Sequence, residues 1–429
     1  MNVKLRLTVM NFLQFAVWGS YLTSMGGYLF AAGYGELIGW FYAMQGIVSM
    51  FMPAIMGIIA DKLIPAQRLL GLCHGIAALF IAGAGFCGQN DMLWPMFTLY
   101  SLSVALYMPT LALSNSVAYT ILEQGGYDTV KAFPPIRVFG TVGFIVAMLV
   151  CDFAGFQSSP VQFFQCAIIG VVLAVYAQML PNCPVNRSSE NKSFAQRLGL
   201  DAFKLFKNKQ MAMFFIFSML LGVSLQITNG FANSFITSFK NIPEFANTFG
   251  ANHANALISL SQVSETLCIL LIPFCLKRFG IKRVMLIAMF AWVLRFGLFG
   301  LGNPGSGLWM FILSMIVYGV AFDFFNISGS LFVNENTSGE MRSSAQGLFM
   351  IMTNGIGATV GTLGAQAVVN RLVPATESVD GVVTNGLSVV EGWSTTWLAF
   401  AGYALIVALL FMVLFRYKHD ANKQMDINH

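Results

Sequence analysis

Residues 57–68 read GIIADKLIPAQR, with Gly57, Asp61, Lys62 and Arg68 set between two long apolar blocks. A charged turn this short between two such blocks reads as the connection between two membrane helices. The arrangement recurs further along the chain. Residues 276–283, LKRFGIKR, place Lys277, Arg278, Gly280, Lys282 and Arg283 between two more apolar blocks.

Working outward from these turns, apolar blocks fall at 7–30, 36–60, 68–88, 93–119, 135–156, 160–181, 211–238, 252–276, 282–301, 307–333, 343–369 and 393–416. Each is long enough to cross a hydrocarbon core of about 30 Å as a helix. The predicted fold class is therefore an all-α membrane protein of twelve transmembrane helices. Composition agrees. The 429 residues are 57% hydrophobic and 10% charged, against about 25% charged in a soluble domain. Mean hydropathy is +0.71. The first block is too long for the apolar region of a cleavable signal and lacks a small-residue cleavage site. It reads as the first span.

The net charge of +5 is weak support for nucleic-acid binding, because the basic residues sit in short turns between spans. Placing the N-terminus in the cytoplasm leaves only Lys240 and Arg371 of the 23 Lys and Arg on the far side, with Arg137 and Arg295 inside or at the edge of spans. That bias predicts cytoplasmic N- and C-termini. The longest hydrophilic segment, 182–210, divides the chain into a six-helix half (1–181), a cytoplasmic linker and a second six-helix half (211–429). The two charged turns occupy corresponding positions, after spans 2 and 8, as internal repetition requires.

In that place the Gly57–Lys62 pattern, GxxxD followed by a basic residue, resembles the loop motif of the major facilitator superfamily. Gly57 permits close helix approach. Asp61 and Lys62 can latch one conformation by pairing at a helix end. A solvated charged turn is the plain alternative.

The seven cysteines show no CxxC or metal spacing, and small buried packing residues are expected. No ligand pair is formed by the four histidines, so no metal or cofactor is predicted. No nucleophile–base constellation appears, so the chain does not read as an enzyme. The run TNGIGATVGTLGA (353–365) reads as close helix packing, since no phosphate-loop Lys-Ser or Lys-Thr follows it.

Ionisable residues inside spans are costly and mark function by default. Here they reduce to Glu265, Asp323, Arg137 and Arg295. Asp323 stands among Tyr318, Phe322, Phe324 and Phe325, where it either exchanges a proton or forms a static pair. Its count along span 10 places it in the cytoplasmic half. Arg137 follows Pro134–Pro135, which suit a helix start, so it is expected in the first turn of span 5, reaching inward or snorkelling to the interface. Arg295 either pairs with Glu265 or lies near the outer interface. Gln226 and Asn229, and again Gln262 and Glu265, are spaced i, i+3 and share helix faces. Together with the carboxylates they suggest a polar cavity. Such a cavity suits a neutral polyhydroxylated ligand with a flat ring, with Phe144, Phe322 and Tyr318 to wall it in.

Longer strings are specific. MNVKLRLTVMNFLQFAVWGSYLT, FMPAIMGIIADK, YMPTLAL, FPPIRVFGTVGFIVAM, LGLDAFKLFKNK, MAMFFIFSMLLGVSLQITN, SQVSETLCIL, MIVYGVAFDFFNISGS and SSAQGLFMIMTNG resemble the bacterial nucleoside permeases of the nucleoside:proton symporter family, within the major facilitator superfamily. The resemblance covers nearly the whole chain and fades at 371–392 and in the last dozen residues. It implies a multi-pass protein of the inner membrane that imports purine and pyrimidine nucleosides with protons by alternating access. It places Arg137, Thr141, Phe144, Gln226, Asn229, Gln262, Glu265, Tyr318 and Phe322 at the nucleoside site. Asp323, alone or coupled with Glu265, is implied in proton coupling, with protonation weakening a pairing with Arg137. The partners expected are a nucleoside, a proton and the lipid bilayer. No nucleic acid is expected, and the chain is expected to be a monomer. A major facilitator carrier for another polar solute such as a sugar, or a non-transporting nucleoside sensor, is the alternative reading; the short tails weigh against a sensor.

Overall fold

A computed structural model describes residues 2–185, 200–337, 339–380 and 382–417; the side chains of residues 61, 62, 130, 200, 339, 340, 342 and 343 are also outside the described set. Among the described residues, nine helices are long and apolar enough to cross a membrane, and two bent helix pairs bring the number to eleven. The remaining expected span, 7–30, is interrupted. Its two helices are α1 (Val3–Gly19) and α2 (Met25–Ala31). The architecture is all-α and consistent with twelve spans.

Several of these breaks have a local cause. Between α1 and α2 the sequence is rich in hydroxyls, which compete with the helical backbone. Ser20 donates to the Ala16 carbonyl at 2.9 Å and Ser24 donates to Gln162 Oε1 at 2.9 Å. The second span is α3 (Ile38–Ser49) and α4 (Met52–Lys62), with a 43° bend. Pro53 lacks the amide hydrogen that would reach Ser49. The eighth span is α11 (Ala254–Ile269) and α12 (Ile272–Phe279), bent by 56°. There Pro273 stands in the same relation to Ile269. Span 7 is also broken, into α9 (Lys209–Leu225) and α10 (Ile227–Ser238) at Gln226. Spans 1, 2, 7 and 8 are thus all discontinuous, and the breaks recur in corresponding places of the two halves. Discontinuous helices at matching positions of a repeat are a mark of transporter folds.

The other helices are α5 (Ala66–Gln89), α6 (Leu93–Gln124), α7 (Thr129–Phe153), α8 (Val161–Gln178), α13 (Ile281–Leu301), α14 (Leu308–Asn336), α15 (Gly339–Met350), α16 (Ala358–Leu372) and α17 (Gly386–Leu414). The chain forms two compact units: residues 1–28 with 44–198, and residues 29–43 with 199–429.

In the first unit α5 packs on α6 and α8, and α1 packs on α7. The α1–α7 contact is backbone-close. A Cβ on Gly19 would collide with the Phe144 carbonyl, and one on Gly143 with the Phe12 carbonyl. Only glycine allows that approach. In the second unit α14 lies between α11 and α13, and α13 also packs on α17. The glycine run at 353–365 does pack closely. Gly357 and Gly361 face the backbone of Met219, Gly222 and Val223 on α9, across a π-helical turn (Ile351–Gly357) that joins α15 to α16. Residues 29–43 join this unit through Phe30 against Trp393, Tyr42 against Gly230, and Gly39 against Gln366.

The expected start of span 5 needs correction. Helix α7 begins at Thr129, so Pro134 and Pro135 lie inside it and Arg137 lies beyond its second turn. The prolines sit close enough to the helix start that few backbone hydrogen bonds are lost. Asp323 falls just past the middle of α14, which runs 29 residues.

Candidate functional site

Within the first unit, Arg137, Thr141 and Phe144 follow one another at i, i+4 and i+7 along one stripe of α7. Arg137 is half-buried. It folds over Phe15 of α1, with its guanidinium carbon 3.9 Å from the ring centroid. The cation thus has an aromatic face beneath it, a favourable arrangement away from bulk water. Thr141 is half-buried and Phe144 is buried. Phe144 meets Trp18 edge-on, with centroids 6.2 Å apart and ring planes at 90°. The Gly19 and Gly143 contacts hold α7 at this depth on α1.

The second unit carries the remaining candidates. Gln226 occupies the break between α9 and α10 and is half-buried, as is Asn229. Asn229 Nδ2 donates to Gln226 Oε1 at 2.9 Å. Gln262 and Glu265 lie one turn apart on α11, both half-buried. Helix α11 is pinned to α14 beside them. Ser264 donates to the Ile316 carbonyl, and a Cβ on Gly319 would stand 2.6 Å from the Ser264 carbonyl.

On α14, Tyr318 is buried and Phe322 half-buried. Their rings stack with centroids 5.6 Å apart and planes at 17°. Asp323 is buried. Helix α14 thus carries a stacked aromatic pair next in sequence to a buried carboxylate.

Arg295 is buried at 2% exposure. Among the described residues its partners are a carbonyl, a hydroxyl and two aromatic rings, not Glu265. Among the described residues, a Cβ on Gly57 would meet nothing within 4 Å. The side chains of Asp61 and Lys62 lie outside the described residues.

Two polar groupings were not singled out from the sequence. In the first unit, His74 meets Gln14 Oε1 at 2.7 Å, Gln14 Nε2 donates to Thr110 at 2.8 Å, and the Tyr107 hydroxyl donates to the Gln14 carbonyl at 2.9 Å. In the second, Asn233 Nδ2 donates to Asn255 Oδ1 at 3.0 Å. Asn233 lies one turn beyond Asn229, on the same face of α10. An amide every fourth residue inside an apolar span was the available signal.

A family model described as "Nucleoside H+ symporter" matches residues 1–420. The chain belongs to this family. It is 47% identical over 422 residues to nucleoside permease NupG of Escherichia coli (strain K12), covering 98% of this chain and 97% of that protein. It is 48% identical over 426 residues to xanthosine permease of the same organism, covering 99% and 98%. A crystal structure of a mutant of nucleoside transporter NupG matches with a TM-score of 0.90 at 46% identity, covering 97% of this chain and 100% of that one. A POT family transporter shares the fold alone, with a TM-score of 0.67 at 14% identity. The family settles the class: the chain is a multi-pass membrane transporter with the major facilitator fold, not an enzyme.

Proposed function

We propose that this protein imports nucleosides together with protons, by alternating access, across the inner membrane. The observation that carries the reading is the parallel Tyr318–Phe322 pair on α14, next in sequence to the buried Asp323; the Asn229–Gln226 amide pair at the α9–α10 break supports it. A ring pair supplies an apolar wall for a base. Amides with unspent donors and acceptors suit ribose hydroxyls. A carboxylate buried in a low-dielectric span changes charge with protonation and so links substrate movement to protons.

In this reading Gln226, Asn229, Gln262, Glu265, Tyr318 and Phe322, with Arg137, Thr141 and Phe144, bind the nucleoside. Asp323 carries the proton, coupled with Glu265. Gly57, Asp61 and Lys62 act as a latch on one facing state. The two six-helix halves, 1–181 and 211–429, joined by the 182–210 linker, move against one another with both termini in the cytoplasm, as the basic residues favour. The protein acts as a monomer in the bilayer. Relatives named for nucleosides and for xanthosine stand at 47% and 48% identity, so similarity favours the nucleoside class without selecting a base.

The test is uptake into proteoliposomes. Labelled adenosine and uridine should enter, faster with an acid-outside pH gradient, and each should compete with the other. Competition by free ribose or lactose in place of nucleosides would favour the sugar carrier and overturn the reading.

A further inference from the structure

Arg295 is a cation in the middle of an apolar helix. The surrounding sequence, AWVLRFGLF, is otherwise uncharged. Burying a charge in a membrane span is expensive, and a residue of similar shape without charge packs at lower cost unless the charge is used. The question is what uses it.

Its contacts answer this. Nη1 donates to the Ser314 carbonyl at 2.6 Å and reaches Ser261 Oγ at 3.5 Å. The Ser314 carbonyl is the helical acceptor one turn before Tyr318, so Arg295 shares it with the Tyr318 amide. Ser314 Oγ donates back to the Arg295 carbonyl at 3.0 Å. The guanidinium carbon stands 4.6 Å from the Tyr318 ring centroid, well inside cation–π range. Trp292, three residues earlier on α13, meets the same ring edge-on at 6.0 Å and 88°. Two residues of α13 therefore fix one ring of α14, and that ring stacks on the half-buried Phe322.

We propose that Arg295 is a positioning residue for substrate recognition. It holds Tyr318 by its backbone acceptor and its ring face together, and so sets the plane of the Tyr318–Phe322 pair against which a nucleobase stacks. Lysine cannot replace it fully, because a point ammonium does not offer a planar fork to the ring and the Ser314 carbonyl at once. The inference rests on the nucleoside reading given above.

The test measures equilibrium binding of uridine and of adenosine to the purified full chain in detergent, alongside its thermal unfolding. Arg295→Met should weaken both ligands by about tenfold, and Arg295→Lys by about threefold. The decisive arm is a double-mutant cycle with Tyr318→Leu. If Arg295 acts through Tyr318, adding Arg295→Met to Tyr318→Leu should weaken binding by less than about twofold further. A merely structural role would lower the unfolding temperature and add its full loss in either background; that outcome overturns the inference. Unchanged affinity in Arg295→Met overturns it too. If that variant does not fold, Arg295→Lys decides, and wild-type affinity there is the overturning result. Wild-type protein that binds neither nucleoside overturns both this inference and the reading beneath it. Wild-type binding with silent Arg295 variants overturns this inference alone.

Discussion

Asn229 donates to Gln226 at 2.9 Å across the break between α9 and α10. The bond spans the one interruption in a 33-residue apolar stretch, Lys209–Asn241. The break frees backbone groups that an unbroken helix would use internally, and irregular backbone at membrane depth is tolerated where it is buried in protein or lines a wet cavity. The bond holds the Gln226 side chain by its amide oxygen; in the proposed function its amide nitrogen then serves the nucleoside.

Asn229→Ala should therefore weaken nucleoside binding through Gln226 as well as through its own loss. The expected rise in KM is about tenfold with little change in unfolding temperature. Uptake kinetics in proteoliposomes check this. An unchanged KM would show that the amide pair is only internal glue.

Phe322→Ala should remove half of the ring pair while leaving Tyr318 held by Trp292 and Arg295. Affinity for nucleosides should fall about tenfold, and Phe322→Tyr should restore most of it. Binding calorimetry with the two variants separates loss of the aromatic face from loss of fold.

Gly19→Ala and Gly57→Ala should behave in opposite ways. A methyl at Gly19 enters the Phe144 carbonyl, whereas one at Gly57 meets nothing within 4 Å among the described residues. The first should destabilise by about 1–3 kcal/mol and displace Phe144. The second should leave stability within about 0.5 kcal/mol and, if the latch reading holds, slow transport. Fluorescence-detected thermal unfolding with parallel uptake distinguishes the two.

Gln366→Ala should loosen the attachment of residues 29–43 to the second unit. Gln366 Oε1 accepts from the Gly39 amide at 2.6 Å, while its Nε2 donates to the Gly35 carbonyl at 2.9 Å and to Asn370 at 2.6 Å. Net loss of these bonds is worth about 1–3 kcal/mol. The apparent unfolding temperature should drop by several degrees. Hydrogen exchange should rise over residues 29–43 and stay unchanged over α5 and α8.

These relationships differ in how far the sequence discloses them. Gln226, Asn229, Gln262 and Glu265 stood out because polar groups three apart in an apolar block share a face whatever the tertiary fold. The two charged turns stood out because a run of charges cannot enter lipid. The grip of Gln366 on Gly35 and Gly39 joins residues more than 300 positions apart, and no local period encodes it. Arg295 was conspicuous, but its partners were not. A carbonyl and a ring carry no charge signature, so the expectation lay between an ion pair with Glu265 and a place near the outer interface. The interruption at 20–24 was missed because Tyr21 and Leu22 keep the stretch apolar on average while the hydroxyls of Ser20 and Ser24 break the helix. The start of α7 was misplaced because paired prolines are more often found at a helix start than within one.

The central claim is that Asp323 couples proton movement to nucleoside movement. The most direct measurement compares wild type with Asp323→Asn in proteoliposomes, reading uridine counterflow and pH-driven accumulation in the same preparation. The account predicts that the variant retains counterflow but does not accumulate uridine above the outside concentration. Full pH-driven accumulation by Asp323→Asn would contradict it.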